Sequence, residues 1–199
     1  MSRRAKPSNI LAHAFFSQNA EAVARELVGK ILVRMTDEGV VLRVRIVETE
    51  AYVGTHDLAC HAAKGRTRRT EALFGPAGRA YVYFVYGMHF MLNVVTGEDG
   101  QAQGVLLRAA ELLDGTRADL SGPAKLARHL HITRDLYGWD LTIGQKLYVE
   151  DAPAPARLAR APRVGVDYAK DWTHTPLRFY DPDSAAVSRR PKLTVLVNN

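Results

Sequence analysis

A single cysteine, Cys60, is the whole thiol inventory of this 199-residue chain. One thiol excludes an intrachain disulfide framework and any cysteine-rich zinc site. Long apolar runs are also missing, and none approaches the roughly 20 residues of a membrane span. The basic, polar stretch 1–8 is not followed by the apolar core of a secretion signal, so a cytosolic protein is expected. Acidic residues are the minority: 21 Asp plus Glu against 27 Lys plus Arg leave a net charge of +6. That surplus inclines toward an anionic partner such as nucleic acid, although charge alone does not decide it. With 47% hydrophobic and 24% charged residues the composition is that of a globular protein, not a disordered or fibrous one. The length suits one domain, expected over 15–199 behind a basic flexible arm at 1–14.

Hydrophobic spacing gives the elements. Ala22, Val23, Leu27 and Val28 recur at helical intervals, which predicts a helix over 19–28 stopped by Gly29. A strand over 31–35 and a turn at 36–39 lead to alternating residues over 40–47, a half-buried strand running straight into Glu48-Thr49-Glu50. Residues 54–69 are polar, rich in His and Arg, and read as a loop, with a short helix at 70–74. The aromatic strand 80–85 breaks at Tyr86-Gly87-Met88, a hairpin tip, and strands follow at 90–96 and 105–112. Ser121-Gly122-Pro123 starts a helix reaching 129, with Ser as cap and Pro in the first turn. Strand 147–150, an Ala/Pro-rich loop or linker over 151–162, and closing segments at 163–166 and 177–180 around Trp172 complete the chain. This order predicts a single compact α+β domain. Its core is a curved, mostly antiparallel β-sheet flanked by helices, from which a β-hairpin protrudes.

Several residues fit no purely structural pattern. On a strand Glu48, Glu50 and Tyr52 share one face. They read either as an exposed strand end paired with Arg43 or Arg45, or as a general base beside an aromatic platform. The run His56-Asp57-Leu58-Ala59-Cys60-His61 reads as a solvated loop, a ligand-facing loop or, against the known ligand spacings, a metal site. Tyr86 and Met88 at a hairpin tip suit a wedge pushed into a base stack, with Arg66, Arg68, Arg69 and Arg79 near enough to meet phosphates. Arg108 lies within an apolar strand and needs a buried partner, for which Glu48 and Glu50 are candidates; Asn93 is similarly placed. Lys125 in the first turn of a helix opposes the helix dipole unless an anion sits between them, which points to a phosphate contact.

Taken in order, Ile46-Val47-Glu48-Thr49-Glu50-Ala51-Tyr52, Asp57 with His61, Tyr81 through Met88, Asn93, Val105-Leu106-Leu107-Arg108-Ala109, Ser121 through Leu126, Arg163 through Val166 and Pro176 through Tyr180 resemble the alkyladenine (3-methyladenine) DNA glycosylase family. The resemblance spans roughly residues 15–180. It implies Glu50 as general base and Arg108 as the residue holding that base and its water. It implies Tyr52, His61 and Tyr83 as walls of a base pocket, and Asn93 near the purine edge where normal guanine is excluded. Tyr86 would fill the gap left by a flipped nucleotide beside Met88, and Arg66 and Lys125 would lie near the DNA backbone. One departure is Met91, where many members carry Cys.

The chemistry so implied is extrusion of an alkylated or deaminated purine from duplex DNA and hydrolysis of its N-glycosidic bond by water, leaving an abasic site. No metal or organic cofactor and no strand-cleaving step is called for, and the simplest footprint is a monomer. Two other classes are a non-catalytic binder of distorted DNA and a small-molecule hydrolase built around Glu50.

Overall fold

The computed structural model describes residues 9–116, 118–191 and 195–197, so the stretch 1–8 of the expected arm lies outside the described residues. From Asn9 the chain is tied down: the Asp151 N–H donates to the Asn9 carbonyl and the Leu11 N–H to the Val149 carbonyl, while Ile10 bridges Glu150. Residues 9–11, assigned to the flexible arm from sequence, are therefore docked on the domain. A short helix α1 (His13–Phe16) and the amphipathic α2 (Ala20–Leu27) follow, the latter capped by the Asn19 side chain accepting from Ala22 N–H. Gly29 ends the helical segment as expected. Its φ of +98°, and a Cβ position only 2.7 Å from the Pro153 carbonyl oxygen, leave room for no other residue.

The sheet is organised around one long strand. β1 (Ile31–Met35) and β2 (Val41–Tyr52) form a hairpin, but β2 runs past its partner into the expected Glu48-Thr49-Glu50. Beyond them come β3 (Ala80–Val85), β4 (His89–Thr96), β5 (Gln103–Leu112), β6 (Leu147–Glu150), β7 (Ala159–Ala161), β8 (Arg178–Tyr180) and β9 (Val195–Leu196). The order β3-β4-β5-β2-β8-β7-β9, with β1 and β6 branching from the start of β2, is antiparallel at each described pairing. β7 lies within the segment expected to be a loop or linker. Two alanines and a backbone partner on each side suffice for a short strand, and no periodicity in three residues could reveal it.

The half-buried alternation of β2 holds only through Ile46; from there to Ala51 every residue is buried. The cause is that both faces are covered. On one face Thr49 Oγ1 donates to the Ala24 carbonyl of α2 at 2.7 Å, and on the other lies the candidate site. A third helix, α3 (Pro123–His129), packs against β4 and β5, burying Leu126 and Ala127. It is not capped by Ser121 as expected. Gly122 occupies the cap position with no side-chain bond, and the Ser121 hydroxyl turns back to Asp119. Among the described residues, no helix is long and apolar enough to cross a membrane.

Candidate active site

Two register shifts beside Glu48 build the site. β2 pairs with β5 as Ile46↔Ala110, Glu48↔Ala109 and Thr49↔Leu107, so Val47 is the extra residue on one strand and Arg108 on the other. A bulge re-aims a side chain that a regular ladder would send elsewhere. Arg108 thereby meets both carboxylates, with Nε 3.2 Å from Glu48 Oε1 and Nη1 3.3 Å from Glu50 Oε1. Neither carboxylate pairs with Arg43 or Arg45. Arg43 binds Glu150 at 2.5 Å, and Arg45 donates to the Gly29 carbonyl.

Glu50 is fully buried, and each of its oxygens has a defined partner. Oε1 accepts the Val164 N–H at 2.7 Å in addition to the Arg108 contact, and Oε2 accepts the Tyr52 hydroxyl at 2.9 Å. Glu50 is not itself in the wall of the adjoining cavity, but those three partners are. The cavity has a volume of about 260 Å³, and Tyr52, His61, Tyr83, Asn93 and Arg108 all line it, together with Cys60 and Met91. Glu50 thus stands behind the wall residues Tyr52, Arg108 and Val164, which bind it.

The aromatic wall is set by the β3–β4 hairpin. Tyr81 and Tyr83 lie two apart on β3, their centroids 5.4 Å from each other, and the His61 ring meets Tyr83 edge-on at 4.5 Å. His61 Nδ1 is 2.9 Å from the Tyr81 hydroxyl. Asn93, opposite Tyr81, donates to the Tyr81 carbonyl at 3.2 Å. Burial, then Glu50, pushes the Tyr52 phenol well above its ordinary range; burial pushes Tyr83 up to about 12 and Cys60 up to about 11. These groups therefore stay protonated near neutrality and act as donors and surfaces, not as bases.

Burial, reinforced by the positive charges of Arg69 and Lys64, lowers His61 to about 4. At neutral pH its ring is uncharged, which removes imidazolium proton donation and leaves hydrogen bonding as its role. Between pH 6.5 and 4 the unfolded chain binds a proton that the folded ring refuses, so stability rises with pH across that window. We expect His61 to contribute on the order of 2 kcal/mol of stability above pH 6.5, lost as pH falls toward 4. Denaturant unfolding at pH 7 and pH 4.5 checks this. His61→Gln should lose less stability between the two pH values than the natural chain; equal losses would count against the burial of a neutral ring.

The remaining expected residues divide. Tyr86 and Met88 sit at the hairpin tip, 85% and 70% exposed. Tyr86 has a φ of +53°, unusual for a bulky residue, in a turn closed by the Met88 N–H on the Val85 carbonyl. Tyr86 also lines the cavity, as does the exposed Tyr168. Arg66 and Lys125 are outside the cavity wall and already paired, Arg66 with Glu71 at 2.6 Å and Lys125 with Asp119 at 2.5 Å. Arg79 pairs with Asp140, and Arg69 lies 5.6 Å over the Tyr83 ring.

Sequence reasoning gave no role to Arg163. Its guanidinium and Asp57 are both fully buried and joined at 2.5 and 2.8 Å, and a further bond runs to the Ala51 carbonyl. It also lies 4.8 Å over the Tyr52 ring. Burial works against its charge, but Asp57 more than offsets this and holds its pKa above the ordinary value. Asp57 is taken up by Arg163 and His56 lies against Trp172 at 5.5 Å, while Ala59, Cys60 and His61 line the cavity. The only local hint was an arginine amid Pro162, Val164 and Val166.

Residues 14–185 match the family described as methylpurine-DNA glycosylase. The chain belongs to that family. Similar proteins include one of Methanocella arvoryzae, 45% identical across 91% of this chain and 96% of that one. Another is from Myxococcus xanthus, 48% identical across 92% and 95%. A third is from Anaeromyxobacter sp. strain Fw109-5, 50% identical across 91% and 93%. Each is named "Putative 3-methyladenine DNA glycosylase". Membership in a DNA glycosylase family makes the chain a hydrolase of N-glycosyl bonds with a DNA repair function, and the resemblance drawn from the motifs holds.

Proposed function

We propose that the protein excises alkylated or deaminated purines, among them 3-methyladenine and 7-methylguanine and, with less assistance from lesion charge, hypoxanthine and ethenoadenine. It would act on double-stranded DNA in the cytosol, as a monomer. The nucleotide is turned out of the stack into the 260 Å³ cavity while Tyr86 fills the space it leaves. A cationic lesion gains roughly 0.5–2 kcal/mol for each aromatic face it meets, an advantage unavailable to a neutral base. Its positive charge also makes it the better leaving group.

The observation that carries the reading is the Glu50 carboxylate beside the cavity floor. Val164 N–H and Arg108 hold Oε1, while Oε2 has only the Tyr52 hydroxyl among the described residues. A carboxylate oxygen accepts along two lone-pair directions, so Oε2 retains one for water. Glu50 then orients that water and stabilises the oxocarbenium character that develops on the sugar as the bond breaks. Among the described residues no lysine lines the cavity, which supports a water nucleophile, a free base and an abasic site as products, and no strand cleavage. Asn93, bonded to the Tyr81 carbonyl, stands in the wall where the purine edge would pass and is the residue we assign to exclusion of guanine.

Incubation with a labelled duplex carrying one hypoxanthine, followed by hot alkali, tests the reading. Cleavage at the lesion only after alkali is the expected result. Salt-sensitive binding without alkali-labile sites would convert the protein into a binder of distorted DNA.

A further inference from the structure

The second carboxylate has no place in that chemistry. Glu48 is fully buried, lies outside the cavity wall, and faces the same guanidinium as Glu50. Burying a second carboxylate is costly, and an apolar residue would fill the position more cheaply unless the charge serves something. Its other partners come from far along the chain. Glu48 Oε2 accepts the Ser188 N–H at 2.7 Å, and Arg178 Nε approaches Oε1 at 3.4 Å. The Ser188 hydroxyl accepts from Arg108 Nη2 at 3.0 Å. The segment around Ser188 is itself fastened, through the Ser184 hydroxyl on Glu111, Arg178 on the Arg189 carbonyl and Arg190 on the Ser184 carbonyl. Ser188 lies beyond residue 185, where the family match ends.

Each nitrogen of the Arg108 guanidinium therefore has a different anchor: Nη1 on Glu50, Nε on Glu48 and Nη2 on Ser188. A guanidinium held at one corner swings about its stem; one held at three corners keeps its plane and its aim. Glu48, Glu50, Arg108 and Arg178 also balance in formal charge, two of each sign, which offsets the cost of burying the four side chains together.

We propose that Ser188 and Glu48 are positioning residues for Arg108, so that the C-terminal strap 184–190 is a working part of the active site. This rests on the function proposed above. The test is single-turnover base release from the hypoxanthine duplex by the full chain carrying Ser188→Ala. That change deletes the hydroxyl and keeps the N–H on Glu48. Losing one hydrogen bond to a charged group corresponds to about a tenfold slower release. Duplex Kd should be unchanged and Tm lowered by only a few degrees, because the strap keeps its other fastenings. Ser188→Thr, which retains the hydroxyl, should recover the rate to within about threefold. Release by Ser188→Ala at the natural rate, a slowing seen only together with an equal weakening of duplex binding or a collapse of Tm, or a Thr variant as slow as Ala overturns the positioning role. Absence of base release by the unaltered chain is a different outcome and overturns the functional reading itself.

Discussion

Glu50→Gln should release base at least about a thousandfold more slowly while still binding the lesion-bearing duplex within a few-fold of the natural affinity. The substitution is the right instrument because the site can satisfy it. A glutamine carbonyl can still accept the Val164 N–H that Oε1 now accepts, and its amide can donate to the Tyr52 hydroxyl, which reverses its role from donor to acceptor. Arg108 keeps Glu48 and Ser188, so its charge is not abandoned in the interior. What disappears is the negative charge that turns water into a nucleophile and faces a developing sugar cation. The measurements are single-turnover base release and equilibrium binding on the same duplex. A Gln variant within tenfold of the natural rate would falsify the assignment of Glu50, and a parallel collapse of binding would mean that the carboxylate holds the fold instead.

Strand periodicity placed the carboxylates of this prediction on one face but left an exposed strand end open beside a general base, and it was the family resemblance that singled out Glu50. Glu48, Glu50 and Tyr52 two apart at the end of an apolar run imply a shared face, and Tyr52 does reach Glu50 across that spacing. Tyr86-Gly87-Met88 announced a tip because large apolar groups interrupted an aromatic strand at a glycine. Bulges leave no such trace. The extra residue at Arg108 that turns it toward both carboxylates is a property of two strands in register, not of either one. Equally hidden were partners more than a hundred residues apart, such as Asp57 with Arg163 and Glu48 with Ser188, since a single sequence carries no signal for which arginine closes on which carboxylate. Arg66 and Lys125 pair instead with acids close in sequence, Glu71 and Asp119, and both pairs are exposed, so the phosphate contacts expected of the two cations stand as proposals.

The Asp57–Arg163 pair yields the other large effect. Both side chains are fully enclosed, and Asp57 also accepts the Val53 and Ala59 N–H groups, so it fixes the turn that follows β2. Arg163→Met removes one charge and strands the other, which typically costs 3–5 kcal/mol, or about 10 °C in Tm for a chain of this length. Asp57→Leu should cost a similar amount for the mirror reason. Combining the two removes both charges together but still leaves the Val53 and Ala59 N–H groups without their acceptor, so the double variant should regain only part of the lost Tm. Base release should not return with it. Arg163 also donates to the Ala51 carbonyl and lies against Tyr52, and the next residue supplies the N–H on Glu50, so its loss loosens both the ring and the carboxylate that the cavity presents. Thermal unfolding together with single-turnover rates separates these roles. A double variant that is both stable and fast would show the pair to be scaffolding alone, whereas one that is stable and slow identifies the arginine as part of what aims Glu50.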